Sequence, residues 1–119
     1  MYTRILVPLE NSRTDDAIVA HVRALALHCN ASLVLIHVAD GFAARNMNAL
    51  ELRESEEIRK DRAYLDEVAA RLTAAGFTVD AVLASGDPAR EITAAAEREK
   101  CDLIALGTHG HRGVKDLIY

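Results

Sequence analysis

The sequence predicts an α/β fold: an open, Rossmann-like parallel sheet with helices on both faces. Three observations carry that reading. Short apolar runs alternate along the chain with longer amphipathic stretches, the pattern of repeated βαβ units. The intervening stretches are long enough to form helices, and helical crossovers join parallel strands with a right-handed turn. The run Ser32-Leu33-Val34-Leu35-Ile36-His37-Val38 is apolar on both faces, as a strand between two helical layers must be.

Taken in order, Ile5-Leu6-Val7-Pro8-Leu9 is a first strand closed by a proline. Asn11 to Thr14 supply helix-capping side chains, and Asp15 and Asp16 put negative charge in the first turn, where the helix dipole favours it. Ile18, Val22, Leu25 and Cys29 recur at helical spacing, so the first helix runs to about Asn30. Strand two follows. Asp40 to Asn48 is the only long irregular segment. A charged helix is expected from about Leu50 to Ala75, with Ile58, Leu65, Val68 and Leu72 on its apolar face and Gly76 as its stop. Its Glu, Arg and Lys residues read as a solvated face with pairs such as Glu56 and Lys60. Phe77 to Ala84 is strand three. In Gly86-Asp87-Pro88, Asp87 is the cap and Pro88 the first residue of a third helix reaching Lys100. Asp102 to Leu106 is strand four. No repeat, linker or low-complexity tract interrupts residues 1–119, which read as one domain.

Composition narrows the function. A net charge of −4 and a pI near 5.7 argue against a dedicated nucleic-acid binder, which normally carries a basic stripe. No apolar stretch approaches the roughly 20 residues of a membrane span, and the start of the chain lacks a signal-peptide pattern. Cys29 and Cys101 stand far apart without metal-ligand spacing, and read as reduced core residues of a cytoplasmic protein.

Gly107-Thr108-His109-Gly110 follows the apolar run Leu103-Ile104-Ala105-Leu106, where open α/β sheets bind ligands. Glycines let a backbone approach a phosphate and turn successive N–H groups toward an anion, and a helix starting near Gly113 would add its N-terminal dipole. His109, His111, Arg112 and Lys115 bias the segment toward negative ligands. The same glycines also suit a plain strand-to-helix turn. The segment is neither a Walker A loop nor a dinucleotide fingerprint, which belongs after strand one. His109 and His111 lack companion ligands for a metal, so Mg²⁺ or Mn²⁺ would be held by nucleotide phosphates. His37 reads as a satisfied core histidine, and His21 and His28 as surface residues of helix one. Neither Ser12 nor Ser85 sits in a nucleophile elbow. Glu10, at the carboxyl end of strand one, is placed to accept hydrogen bonds from a ribose or adenine, or to serve as a helix-start carboxylate.

Ile5-Leu6-Val7-Pro8, Leu35-Ile36-His37-Val38, Gly86-Asp87-Pro88-Ala89-Arg90-Glu91-Ile92 and Asp102 to Gly110 together resemble a universal stress protein domain, in order and over the whole chain. The resemblance implies a parallel sheet of order 3-2-1-4-5, a homodimer and a cytoplasmic stress or regulatory role. One branch of that family binds ATP through Gly, two residues, Gly, nine residues, then Gly and Ser or Thr. Gly107 and Gly110 match the first half, and nine residues, His111 to Tyr119, follow. The favoured expectation is therefore a domain incomplete at its C-terminal end, without its fifth strand; the alternatives are a partner chain that supplies the strand and a short natural variant that leaves the edge exposed.

By position, the resemblance puts Pro8, Leu9 and Glu10 near adenine and ribose, and Val38 and Leu106 in the adenine walls. Gly107 and Gly110 would meet phosphate or ribose, with His109 between them. Glu10 replaces the family's usual Asp and Asn11 its common Gly. The functional expectation is ATP binding with conformational or partner signalling and at most slow hydrolysis. The alternative is a dimeric interaction module with a vestigial nucleotide site. ATP-cleaving enzymes of the related α-hydrolase superfamily usually carry Ser-Gly-Gly-x-Asp-Ser after strand one, where this chain has Leu9-Glu10-Asn11-Ser12.

Overall fold

The computed structural model describes residues 1–40, 47–110 and 113–118. Its strands are β1 (Arg4–Pro8), β2 (Ser32–Asp40), β3 (Val79–Gly86), β4 (Leu103–Gly110) and β5 (Gly113–Ile118). Its helices are α1 (Thr14–Cys29), α2 (Met47–Ala74) and α3 (Pro88–Arg98). The sheet order is β3-β2-β1-β4-β5, with β1 parallel to both β2 and β4, and β2 parallel to β3. The four parallel strands in the order 3-2-1-4, with helices around them, are the predicted fold class.

Alternation along each strand divides the core between the two faces. Ile5, Val7, Leu33 and Leu35 pack with Ile18 and Val22 of α1 and Leu65, Val68 and Leu72 of α2. Leu6, Val34 and Ile36 turn the other way, onto Ala95 and Ile92 of α3. Side chains of both sets on β1 and β2 have no exposure, which is why these strands read as unbroken apolar runs. The amino ends of the strands are tied by charge. The Arg4 guanidinium pairs with Asp80 at 2.9 Å and Glu99 at 3.1 Å. Asp102 accepts from the backbone N–H of Thr3 at 2.9 Å and of Arg4 at 3.0 Å.

Three expectations are corrected. First, Gly107 to Gly110 do not turn: β4 continues through them, and Gly113–Ile118 is an antiparallel strand rather than the start of a helix. The β-branched Val114 and Ile118 favour an extended backbone over a helical one. The parallel fifth strand implied by the resemblance is not among the described residues. Second, Asn11 to Thr14 do not cap α1. Arg13 holds the cap position in helical conformation without a side-chain cap bond, and the Asp15 carboxylate, inside the helix, instead accepts from the preceding loop amides of Glu10 and Asn11. Third, Ile58 stays exposed instead of joining Leu65 in the core. At 1.5 Å per residue the 28-residue α2 spans about 42 Å against roughly 26 Å for the eight residues of β3, so its first half overhangs the sheet. Of the irregular segment Asp40 to Asn48, residues 41–46 lie outside the described residues, and Met47 and Asn48 already belong to α2.

Other local expectations hold. Asn30 ends α1 in the left-handed conformation, at φ 56°. Asp87 caps α3 by accepting from the Arg90 N–H at 3.0 Å, with Pro88 in the first turn. Cys29 and Cys101, expected in the core, are free thiols that stand half-buried at its edge, and burial pushes the Cys101 thiol up from its ordinary pKa.

Candidate functional site

A cleft of about 320 Å³ opens at the carboxyl ends of β1, β2 and β4. Chain order puts it there: β2 lies to one side of β1 and β4 to the other, so the connections leave in opposite directions and a crevice remains between them. The first turn of α1 and the start of α3 close it, through Thr14, Asp15 and Ile18 on one side and Pro88 and Ile92 on the other. Leu9, Ile36, Val38 and Leu106 make much of its wall apolar.

Six of the eight residues expected to bind ligand line this cleft: Pro8, Leu9, Glu10, Val38, Leu106 and Gly107. His109 and Gly110 lie farther along β4, where their backbones pair with Val114 and Gly113. Gly107 faces the first turns of α1. A Cβ there would lie 3.7 Å from the Ile18 Cβ and 3.8 Å from the Thr14 carbonyl, in ordinary contact, so the glycine keeps space open without being forced by the backbone.

The loop from β1 to α1 shapes the rim. Leu9 still bonds in strand fashion, its N–H donating to the Ile36 carbonyl at 2.8 Å. Asn11 then takes the left-handed conformation, φ 62°, which Asn adopts more readily than most residues other than glycine. Asp15, 2 % exposed, receives the loop's amides: Oδ1 accepts from Glu10 N–H at 2.9 Å, and Oδ2 from Asn11 at 2.8 Å and Ser12 at 3.2 Å. The Tyr64 hydroxyl of α2 donates to the same Oδ2 at 2.5 Å. Burial, and then this bond to a carboxylate, raise the Tyr64 pKa well above that of a free phenol. Glu10 is exposed at the mouth, and its Oε2 accepts from the Thr14 hydroxyl at 3.3 Å.

His37 is satisfied, as the sequence suggests, but it stands in the cleft wall rather than in the core. Its Nδ1 donates to the Leu9 carbonyl at 2.8 Å, and its Nε2 lies 3.2 Å from Asp61 Oδ2 of α2. Asp61 also accepts from the Asn11 side-chain amide at 3.4 Å. Beyond Glu10, His37 and Val38 a second, more polar hollow of about 410 Å³ reaches Ile58 and Lys60 on α2 and Ser85 on β3.

Sequence reasoning missed Asp15, His37, Asp61 and Tyr64 as shapers of this site. A signal existed for Asp15. It lies three residues before Ile18, on the buried stripe of α1 that continues through Val22 and Ala26, so a carboxylate stands on an otherwise apolar face. Nothing comparable marks Tyr64, which looks like any aromatic beside Leu65. Among the described residues no three His, Cys, Asp or Glu side chains converge as a metal site, and no helix is long and apolar enough to cross a membrane.

The family model described as the universal stress protein family matches residues 1–119. Universal stress protein MJ0577 of Methanocaldococcus jannaschii is 28 % identical over 138 residues, covering 99 % of this chain and 83 % of that protein. The solved structure of MJ0577 superposes with a TM-score of 0.79 at 26 % identity, over 87 % of this chain and 73 % of that one. A crystal structure of a universal stress family protein from Burkholderia pseudomallei gives a TM-score of 0.77 at 30 % identity, over 91 % of this chain and 83 % of that one. A universal stress protein in complex with cAMP shares the fold, with a TM-score of 0.66 at 22 % identity, over 87 % and 74 % of the two chains.

Proposed function

Because the chain belongs to the universal stress protein family, we propose that it is a nucleotide-binding regulatory protein that takes the base and ribose of ATP into the cleft between β1, β2 and β4. One observation carries this reading: an apolar slot with a carboxylate at its mouth, standing at the switch point of the sheet. Leu9, Val38 and Leu106 would flank a planar base, and Glu10 would accept from ribose hydroxyls. A volume of about 320 Å³ suits a nucleoside better than a whole triphosphate, because small-molecule pockets run from roughly 300 to 1,000 Å³. The phosphates would then leave past Gly107 toward His109 and Gly110, with Mg²⁺ or Mn²⁺ held by their oxygens. That one family-fold neighbour is a complex with cAMP also supports a nucleotide. The protein would act as a cytoplasmic homodimer through conformational or partner signalling, with at most slow hydrolysis.

A second reading is a dimeric interaction module with a vestigial nucleotide site. One observation favours it: Gly107 to Gly110 form a ladder with β5 instead of turning their amides toward an anion.

Calorimetric titration with Mg-ATP, on the native chain and on Gly107→Ala, separates the two. The added methyl has room against Ile18, so the variant keeps its melting temperature to within a few degrees while filling the slot. The nucleotide reading requires binding by the native chain and clear weakening in the variant. An absence of binding decides for the interaction module, and equal binding by both moves the ligand away from Gly107.

A further inference from the structure

We propose that Asp15 and Tyr64 are positioning residues of the cleft, together holding the β1–α1 loop in the shape that presents Glu10 to a bound nucleoside. This rests on the nucleotide reading of the cleft and adds to it a pair of residues that act through the loop.

Four contacts support it. Three consecutive backbone N–H groups, of Glu10, Asn11 and Ser12, converge on one carboxylate, and the Tyr64 hydroxyl supplies a fourth donor. Three of these donors take Oδ2, the fourth takes Oδ1, and the carboxylate is only 2 % exposed although it borders the cleft. Its role must pass through the loop. The loop needs such an anchor: it contains no glycine, and Asn11 stands in a left-handed conformation that is unfavourable for a residue with a side chain. A buried carboxylate is tolerated in turn because both of its oxygens accept hydrogen bonds. Tyr64 completes that set from a different element. It lies three residues after Asp61, so one face of α2 reaches Asp15, Asn11 and His37 together. Glu10, which lines both hollows, is the loop residue whose direction depends on this anchoring.

The test uses the full chain and the variants Tyr64→Phe and Asp15→Asn. Amide hydrogen exchange is followed at residues 10–12 and in α3, and each protein is titrated with Mg-ATP. Val68→Ala serves as a control, because it loosens the packing of α2 without touching the loop. Tyr64→Phe is expected to speed exchange at residues 10–12 and leave α3 unchanged. It should weaken Mg-ATP binding roughly fivefold, the factor carried by one hydrogen bond of ordinary strength. Asp15→Asn, which turns an amide N–H₂ toward backbone donors, should exceed it in both. The control should lower the melting temperature while preserving affinity. Native binding with unchanged affinity in both variants overturns the positioning role alone, as does unaltered exchange at residues 10–12 in Tyr64→Phe. A native chain that does not bind Mg-ATP overturns the nucleotide reading and the positioning role with it. If Asp15→Asn does not fold, Tyr64→Phe still decides.

Discussion

The two ends of the sheet are secured in opposite ways. At the amino end, Arg4 bonds to Asp80, to the side chain and carbonyl of Glu99, and to Ser32, while Asp102 separately collects Thr3 and Arg4. Two charged groups of opposite sign thus tie the starts of all four parallel strands. At the carboxyl end a single carboxylate, Asp15, gathers the whole β1–α1 loop. The closed end is redundant and partly wet. The open end carries the cleft, and three consecutive amides of its loop rest on one buried group. The comparison implies that equal losses of hydrogen bonds should have unequal consequences.

Asp15→Ala tests this most severely. It leaves three backbone donors and the Tyr64 hydroxyl without their acceptor, and each buried unmatched group costs about 1–3 kcal/mol. Allowing for water entering the cleft, a loss of about 3 kcal/mol is expected from urea unfolding. Arg4→Ala removes as many contacts but should cost only about 1.5 kcal/mol, because Asp80 and Glu99 can turn to solvent, and it should leave nucleotide affinity unchanged. If the two variants proved equally unstable, the contrast between the ends would be broken.

A third expectation concerns acid. The backbone N–H of Arg4, then that of Thr3, hold the Asp102 carboxyl below its ordinary value of 3.8. A depressed folded-state pKa contributes stability that is complete above the ordinary value and is lost as pH falls through the lowered one. The stability gap between the native chain and Asp102→Asn should therefore be constant at neutral pH and shrink only below about pH 4. Asp102 is largely exposed, so the gap is small; one that widened on acidification would show that Asp102 is not the group that titrates.

How far these features could be read in the sequence follows from their range. The four parallel strands and three helices were legible because burial on both faces writes continuous apolar runs, as in Leu33 to Ile36, and because Asp87-Pro88 is a local stop-and-start signal. Of the six cleft residues, Glu10 and Gly107 were legible because strand ends are where an open sheet binds, and Pro8, Leu9, Val38 and Leu106 came from the family resemblance. The antiparallel pairing of β4 with β5 was not: a pairing between strands is a tertiary fact, against which a local glycine pattern has little weight. Nor was the bond between Asp15 and Tyr64, because 49 residues separate its partners and neither side chain announces the other.

The smallest expected effect bears on how the rim is built. Family resemblance expects glycine at position 11, where this chain has Asn11 at φ 62°. Glycine adopts that conformation without a Cβ penalty but loses more entropy on folding, and Asn11→Gly also gives up a long, weak bond of 3.4 Å to Asp61. These effects oppose one another, so Asn11→Gly should change stability by no more than about 0.5 kcal/mol. Asn11→Val should cost about 2 kcal/mol, since a β-branched residue resists positive φ. If glycine were as damaging as valine, the Asn11 side chain and its link to α2 would be holding the rim. If glycine is neutral, the loop needs only a residue that tolerates the turn, and its order comes from Asp15 beneath it.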